Sequence, residues 1–385
     1  MRIAFVGVGF VADYYMTTLA NHPALTLVGV HDRDAARLKQ FCDHYGVASY
    51  PTLKAVLDDD AVELVVNLTD PHSHFDVTLA ALEAGKHVYS EKPLAMSLDA
   101  AQALVECAIQ AGLVLAGAPA NALSDAFALT RLSLESGDIG RPRLVYAEME
   151  DGAVFRQNWR DWRSLSGAPW PGRHEFKIGC TLEHAGYALT WLIGLFGPIR
   201  RMTGVSGLAF EDKGADLEET AMGPDFSTAV LEFDNRVIAR LTCGLCAPRD
   251  RSLTVMGEKG TLTVADLWDH RSTVRVEKPN ENPSLPFRLL RRLEAMRGRA
   301  SGLSVPAGRR VKSQDRSGQP ALPAYPSQID FAAGIMAAVE CTAEPVGAKS
   351  RLAGEALHVT EAALALNGLA GHDGRYTMTT DLGAQ

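Results

Sequence analysis

Met1-Arg2-Ile3-Ala4-Phe5-Val6-Gly7-Val8-Gly9-Phe10-Val11-Ala12 opens the chain and decides how its N-terminal part is read. The apolar run with β-branched residues reads as a strand. It passes directly into G-x-G-x-x-A and then into a stretch with helical spacing that ends at Asn21-His22-Pro23. A second apolar run, Thr26-Leu27-Val28-Gly29-Val30, completes a strand, helix, strand unit. Glycine spacing alone is a weak signal; between a strand and a helix it predicts a dinucleotide-phosphate site. Gly7 allows the tight turn, Gly9 lets a pyrophosphate approach the backbone, and Ala12 permits close packing of helix on sheet. Phe10 and Val11 complete the loop, and the helix N-terminus meets the phosphate charge. Asp32, just after the second strand, stands where an acid hydrogen-bonds the adenosine ribose 2'-hydroxyl. NAD is therefore the expected cofactor. NADP is not excluded, because the adjacent Arg33 can stack on adenine or accept a 2'-phosphate.

Alternation continues with a helix through 35–38, a strand over 63–67, a helix over 74–84, a strand over 87–90, a helix over 98–111 and a strand over 113–116. Short βα connections of this kind predict an α/β, doubly wound parallel sheet, a Rossmann domain, over residues 1–120. Beyond residue 140 the strands lengthen and alternate, as over 143–149 and 227–233, and Asp234-Asn235 turns the chain into a further strand over 237–243. Helices are expected near 181–195 and 326–342. Residues 121–385 thus read as an α+β domain on a large, mostly antiparallel sheet that binds substrate. Its open face suits a homodimer or homotetramer. A basic insertion occupies about 286–316. There Phe287, Leu290 and Leu293 allow a short amphipathic helix that touches a membrane or a partner, although so short an apolar face favours a solvated, mobile loop.

A chain of 385 residues with 46% hydrophobic and 22% charged residues is long enough for two domains. Its net charge of -8 disfavours nucleic acid or another polyanion as partner, and no apolar run reaches the ~18 residues of a membrane span, so no stable membrane association is expected. The opening apolar residues run straight into the glycine loop with no cleavage site before Asp13, which predicts a cytoplasmic enzyme. Cysteines at 42, 107, 180, 243, 246 and 341 are too scattered for a disulfide scaffold. Cys243 and Cys246 form a CxxC, but positions i and i+3 of a strand face opposite ways, so packing is preferred over a redox or zinc role.

The third signal is Glu91-Lys92-Pro93, at the carboxyl edge of the predicted sheet, where open α/β sheets bind ligands. With Thr69-Asp70-Pro71-His72-Ser73-His74 and Ala84-Gly85-Lys86-His87-Val88 before it, the stretch from residue 1 to about 115 resembles the glucose-fructose oxidoreductase / inositol dehydrogenase (Gfo/Idh/MocA) family. The resemblance implies that Lys92 lies by the nicotinamide and the substrate hydroxyl. It also implies that Glu91 positions the nicotinamide side, with Thr69, Pro71 and His74 around the cofactor. A lysine in a desolvated cleft, its pKa lowered, can polarise or deprotonate an alcohol as hydride leaves.

The family's second signature, an Asp followed four residues later by a His, falls here on Glu183 and Tyr187, a departure from the pattern. Both can face one cleft from a helix. A tyrosine whose pKa is depressed by Lys92 can act as acid or base. His184, one position round the helix, competes for that role, with a structurally satisfied histidine as the alternative. The run Trp159-Arg160-Asp161-Trp162-Arg163 through Trp170-Pro171-Gly172-Arg173-His174-Glu175-Phe176-Lys177 suits a polyol, with Arg163 and Lys177 near the substrate. Core packing of the tryptophans is the competing reading. The family's Asn/Arg-rich loop after the last Rossmann strand is replaced by Ala118-Pro119-Ala120-Asn121. No metal site is expected, since His72-x-His74 has no partnering cluster. The reading is an NAD(H)-dependent oxidoreductase acting on a secondary alcohol or ketone of a sugar, sugar derivative or cyclitol. The alternatives are an NAD-retaining glycoside hydrolase or lyase using transient oxidation, and a catalytically silent cofactor-binding protein.

Overall fold

A computed structural model describes residues 1–214, 222–279, 285–297, 308–312 and 329–382. The first sheet comprises β1 (Arg2–Val6), β2 (Thr26–His31), β3 (Leu64–Asn67), β4 (His87–Ser90) and β5 (Leu115–Gly117), all parallel, in the order β2-β1-β3-β4-β5. Every residue of β3 is buried, as a parallel sheet sandwiched between helices requires. Helices α1 (Ala12–Leu19), α2 (Ala35–Tyr45), α3 (Leu53–Leu57), α4 (His74–Glu83) and α5 (Leu98–Ala111) connect the strands. The Asp34 side chain caps α2 and Ser97 caps α5, each accepting backbone N–H bonds from the first turn. The short α3, capped by Thr52, has no counterpart in the sequence reading.

The second sheet has nine strands: β6 (Pro142–Glu150), β7 (Ile199–Gly207), β8 (Phe226–Phe233), β9 (Ile238–Gly244), β10 (Leu253–Gly257), β11 (Thr261–Val264), β12 (Val274–Glu277), β13 (Arg309–Arg310) and β14 (Arg375–Thr377). Their order is β13-β12-β11-β10-β6-β9-β8-β7-β14, antiparallel throughout except for the β6–β9 pair. The expected hairpin joins β8 to β9: Arg236 takes a φ of 67° and the Phe233 N–H donates to the Val237 carbonyl over 3.1 Å. Strict alternation in β8 buries Ser227, Ala229, Leu231 and Phe233. Helices α6 (Asp125–Glu135), α7 (Gly172–Ile178) and α8 (Cys180–Phe196) follow, and α8 packs on β6, β8 and β9. The opposite face leaves Tyr146, Val230, Ile238 and Arg240 exposed.

Three further helices complete the chain: α9 (Leu285–Arg297), α10 (Phe331–Thr342) and α11 (Val346–Asn367). Within the basic insertion, where the sequence allows a short amphipathic helix but favours a solvated loop, the structure has the helix α9, and its exposed apolar stripe is Leu285, Leu289, Leu293 and Met296. The rest of that stretch, 298–307 and 313–316, lies outside the described residues, as do 326–328 of the helix expected from 326. Helix α10 packs on α1 and β4, and α11 lies between α5 and α8, so the C-terminal helices bind the two sheets into one body. All six cysteines are free. Cys243 faces Cys180 of α8, its Sγ 3.4 Å from the Cys180 carbonyl oxygen, which is a packing contact.

One buried carboxylate also joins the units. Asp13, in the first turn of α1, accepts hydrogen bonds from Tyr45 Oη at 2.5 Å and from both the N–H and the Oγ of Ser166 at 2.8 Å. Gln40 Nε2 donates to the Ser166 carbonyl at 2.7 Å. Replacing Asp13 by Ala strands three donors and is expected to cost about 2–4 kcal/mol of unfolding free energy, while Asn costs less. Urea titration measures this, and an unchanged midpoint for Asp13→Ala would remove the latch from the account.

Candidate active site

Gly7 has a φ of +94°, and a Cβ there would lie 2.6 Å from the carbonyl carbon and oxygen of Leu68, so no other residue fits. Gly9, by contrast, faces open space, the access a phosphate needs. Asp32 is buried beneath this loop. Its Oδ2 accepts the Val8 N–H at 2.9 Å and its Oδ1 the Asp34 N–H at 2.8 Å, leaving each oxygen a further lone pair for a ribose hydroxyl. Arg37 stands 3.6 Å from Asp32, and the exposed Arg33 pairs with Asp70 at 3.4 Å. Phe10, Val11, Thr69 and Pro71 line the cleft, whereas Ala12 is fully buried between helix and sheet. His74 is enclosed, with Nδ1 2.7 Å from the Pro93 carbonyl oxygen and Nε2 3.0 Å from that of Thr69, so it ties together the two loops that flank the cleft. Burial lowers its pKa.

At the end of β4, Glu91 accepts from Tyr15 Oη at 2.7 Å and from the Lys92 N–H at 3.1 Å. Lys92 crosses to the second unit, where its Nζ lies 2.6 Å from Glu183 Oε2 in the first turn of α8, both side chains nearly buried. The same ammonium is 5.9 Å from the centroid of the Tyr187 ring, which packs on Trp268 at 4.1 Å. One residue beyond Glu183, His184 binds Asp151 through Nδ1 and approaches Glu175 through Nε2 at 3.7 Å. Asp151 in turn takes Arg251 Nε at 2.6 Å, and the Arg251 guanidinium stacks on Trp268.

These neighbours reverse the expected ionisation. Burial alone would lower the Lys92 ammonium, but Glu183, Tyr187 and Glu91 raise it above the ordinary lysine value. Burial raises the Tyr187 phenol, the Lys92 charge pulls it down, and Glu91, Glu183 and Glu175 add to the rise, with a net increase. The lowered lysine and depressed tyrosine of the sequence reading are therefore corrected: both groups hold their protons at neutral pH. Burial would raise Glu183 too, yet Lys92 keeps it below the usual carboxylate range. Glu175, buried and facing Glu183, is raised.

All of these groups open into one cleft of about 1130 Å³ between the units, which exceeds the ~300–1,000 Å³ of common small-molecule sites. Such a volume can accept a dinucleotide with a second ligand. Two residues expected at the substrate are absent from its walls. Arg163 is exposed and folds back on the carbonyls of Arg160 and Trp162, and Lys177 projects outward because α7 turns Glu175 toward the cleft. The tryptophans divide: Trp159 is core, packed against Phe176, while Trp162 and Trp170 line the cleft. Asp151, Arg251, Glu175, Arg37 and Trp268 were not foreseen. Only Glu175 lay in a stretch the sequence had marked; the others carry no motif.

Although burial by itself would lower His184, Asp151 and Glu175 hold its proton to about 10, against 6.5 for a free imidazole. A raised folded-state pKa makes the pair's stability contribution complete below 6.5, and it is lost as pH rises through about 10. The unfolding free-energy gap between wild type and His184→Gln should therefore be widest on the acid side of neutrality and shrink toward pH 10. Urea titrations across that range test it, and a pH-independent gap would count against the ion pair.

Residues 1–118 match the "Oxidoreductase family, NAD-binding Rossmann fold" and residues 127–263 the "GFO/IDH/MocA C-terminal domain". Among relatives, the uncharacterized oxidoreductase YdgJ of Escherichia coli (strain K12) is 27% identical over 264 residues, covering 68% of this chain and 70% of its own. The scyllo-inositol 2-dehydrogenase (NAD(+)) of Bacillus subtilis (strain 168) is 28% identical over 144 residues, 37% of this chain and 42% of that protein. The fold is shared with the WlbA dehydrogenase from Bordetella pertussis, solved with NADH and UDP-GlcNAcA, at a TM-score of 0.66 and 18% identity over 99% of both chains. With both domain matches in order along the sequence and the glycine loop and Lys92 facing one cleft, the chain belongs to the GFO/IDH/MocA oxidoreductases, the NAD(P)-dependent enzymes of this Rossmann fold.

Proposed function

We propose that this enzyme moves a hydride between nicotinamide and a secondary alcohol or ketone of a sugar, sugar derivative or cyclitol. The observation that carries the reading is the buried Lys92–Glu183 pair, set at the carboxyl edge of the first sheet in the same cleft as the glycine loop. When bound, the dinucleotide supplies or accepts the hydride. Gly7, Gly9 and the α1 N-terminus would hold its phosphates, Asp32 its ribose, and Glu91 with Lys92 the nicotinamide end. Lys92 holds a proton at Nζ and can donate it to a substrate oxygen as charge develops there. Glu183 orients that ammonium, and Tyr187 adds a second protonated donor. Two donors that keep their protons suit carbonyl reduction. Trp162, Trp170 and Trp268 offer flat apolar walls to sugar C–H faces. The inositol dehydrogenase among its relatives, and the dehydrogenase of the same fold solved with UDP-GlcNAcA, support a polyol substrate.

The Asp32 carboxylate would repel a 2'-phosphate, and both nearby arginines are engaged by acids, which supports NAD over NADP. The bare face of the nine-stranded sheet, with Tyr146, Val230 and Ile238, is where we place a homodimer or homotetramer contact. We keep the functional division at residue 120, and six free thiols fit a cytoplasmic setting.

In an NADH-linked assay across ketoses, inososes and oxidised sugar nucleotides, Lys92→Met is expected to lower kcat by roughly 10²–10⁴-fold while NADH still binds. A panel on which wild type neither consumes nor forms NADH would defeat the reading. Asp32→Ala should narrow the preference for NADH over NADPH measured by fluorescence titration; an unchanged ratio would remove Asp32 from the specificity argument. Tyr146→Asp combined with Ile238→Asp should reduce the mass read by light scattering to that of one chain.

A further inference from the structure

The excursion between β12 and β13, at one edge of the large sheet, carries chemistry that the cleft does not use. In α9, Leu285, Leu289, Leu293 and Met296 stand at i, i+4, i+8 and i+11, which the helical period gathers into one stripe. They are 71, 58, 48 and 78% exposed, an unusual run of large aliphatic side chains in water. Arg288 and Arg292, both exposed, flank the stripe, while Glu294, the one acid of the helix, falls on the far side. Just beyond, Arg309, Arg310 and Lys312 are exposed as well. This basic patch belongs to a chain whose net charge is -8.

We propose that α9 docks this enzyme on an anionic lipid surface, its four aliphatic side chains entering the headgroup boundary while Arg288 and Arg292 meet lipid phosphates and carboxylates. The two features together select the occupant. Nucleic-acid phosphates would satisfy the arginines and leave the aliphatic stripe in water, and a second copy of α9 would set arginine against arginine. A lipid interface takes both, and basic residues near it strengthen the attachment. At 13 residues the helix is too short to span a bilayer, so the contact is reversible and lies in the plane of the interface. None of the described residues is a membrane-spanning helix. Among the described residues, none of α9 lines the cleft, so docking leaves substrate access open.

Co-sedimentation of the full-length protein with vesicles of phosphatidylserine and phosphatidylcholine, against phosphatidylcholine alone, tests the proposal. Affinity for the anionic vesicles is expected to be tenfold or more higher, on the order of what a few basic residues supply, and to fall as salt rises. Leu289→Asp with Leu293→Asp, and separately Arg288→Glu with Arg292→Glu, should each lose about tenfold or more. Their NADH binding should match wild type, which shows that the fold is intact. Equal partition onto both vesicle types, or retention of binding by either double variant, overturns the proposal. So does a change of oligomeric mass in the variants without lipid, which would make a second copy the occupant.

Discussion

An ammonium group withdrawn from water must lie against a carboxylate, and in this protein that constraint joins two separately built units. Lys92 is delivered by the end of a strand in the parallel sheet, Glu183 by the first turn of a helix that lies on the mixed sheet. Neither charge is tolerable alone at that depth, since removing one partner of a buried pair costs several kcal/mol. The cleft therefore exists only while the units are docked. Other contacts fix the docking: Asp13 with Ser166, Asp330 with Asn21 and His22, and Asn121, whose Nδ2 donates to the Tyr187 carbonyl at 2.9 Å and the Leu267 carbonyl at 3.2 Å. The start of α8 is set with equal firmness. Gly179, at a φ of +95°, sits where a Cβ would lie 2.8 Å from Pro224 backbone atoms.

Behind the pair lies a second layer of charge that strand register assembles. Asp151 directly follows β6 and Arg251 precedes β10, and the antiparallel bridge between Glu150 and Asp250 places them side by side. Asp151 meets His184 at Nδ1 while Glu175 stands 3.7 Å from Nε2, so both ring nitrogens face carboxylates and the imidazole proton serves the fixed charge pattern. Glu175 and Glu183 are left to share the field of Lys92 and His184. That is why one of these carboxyls is raised and the other lowered although both are buried.

The N-terminal unit was legible because its signals are local. The turn at Gly7, the alternation of strands and helices, and the position of Lys92 at a strand end each depend on a few neighbouring residues. The charge states of Lys92 and Tyr187 were not legible, because they are set by burial and by carboxylates contributed from 91, 175 and 183, which meet only through tertiary packing. Arg163 and Lys177 mark the limit of composition as a guide. The cluster around them does line the cleft, but which members turn inward depends on helix phase and on loop hydrogen bonds. The helix at 285–297 was underrated because its apolar period was counted over three residues, Phe287, Leu290 and Leu293, whereas an exposed stripe of four runs over 285, 289, 293 and 296.

The departure at 183 and 187 bears on the chemistry itself. The family pattern puts a histidine four residues after the acid, a group that changes charge near neutrality. Here that place belongs to Tyr187, enclosed by Trp268 and by carboxylates that oppose its ionisation. A phenol so placed can donate a hydrogen bond but is a poor base. The histidine that is present, one step along the helix, is pinned as a cation between Asp151 and Glu175. On the proposed reaction, the groups facing a substrate oxygen are thus two donors, and alcohol oxidation would first require Lys92 to lose a proton that three acids help it to keep. Replacing the titrating histidine by a tyrosine moves the site away from taking protons and toward giving them, which is the bias a carbonyl-reducing enzyme needs.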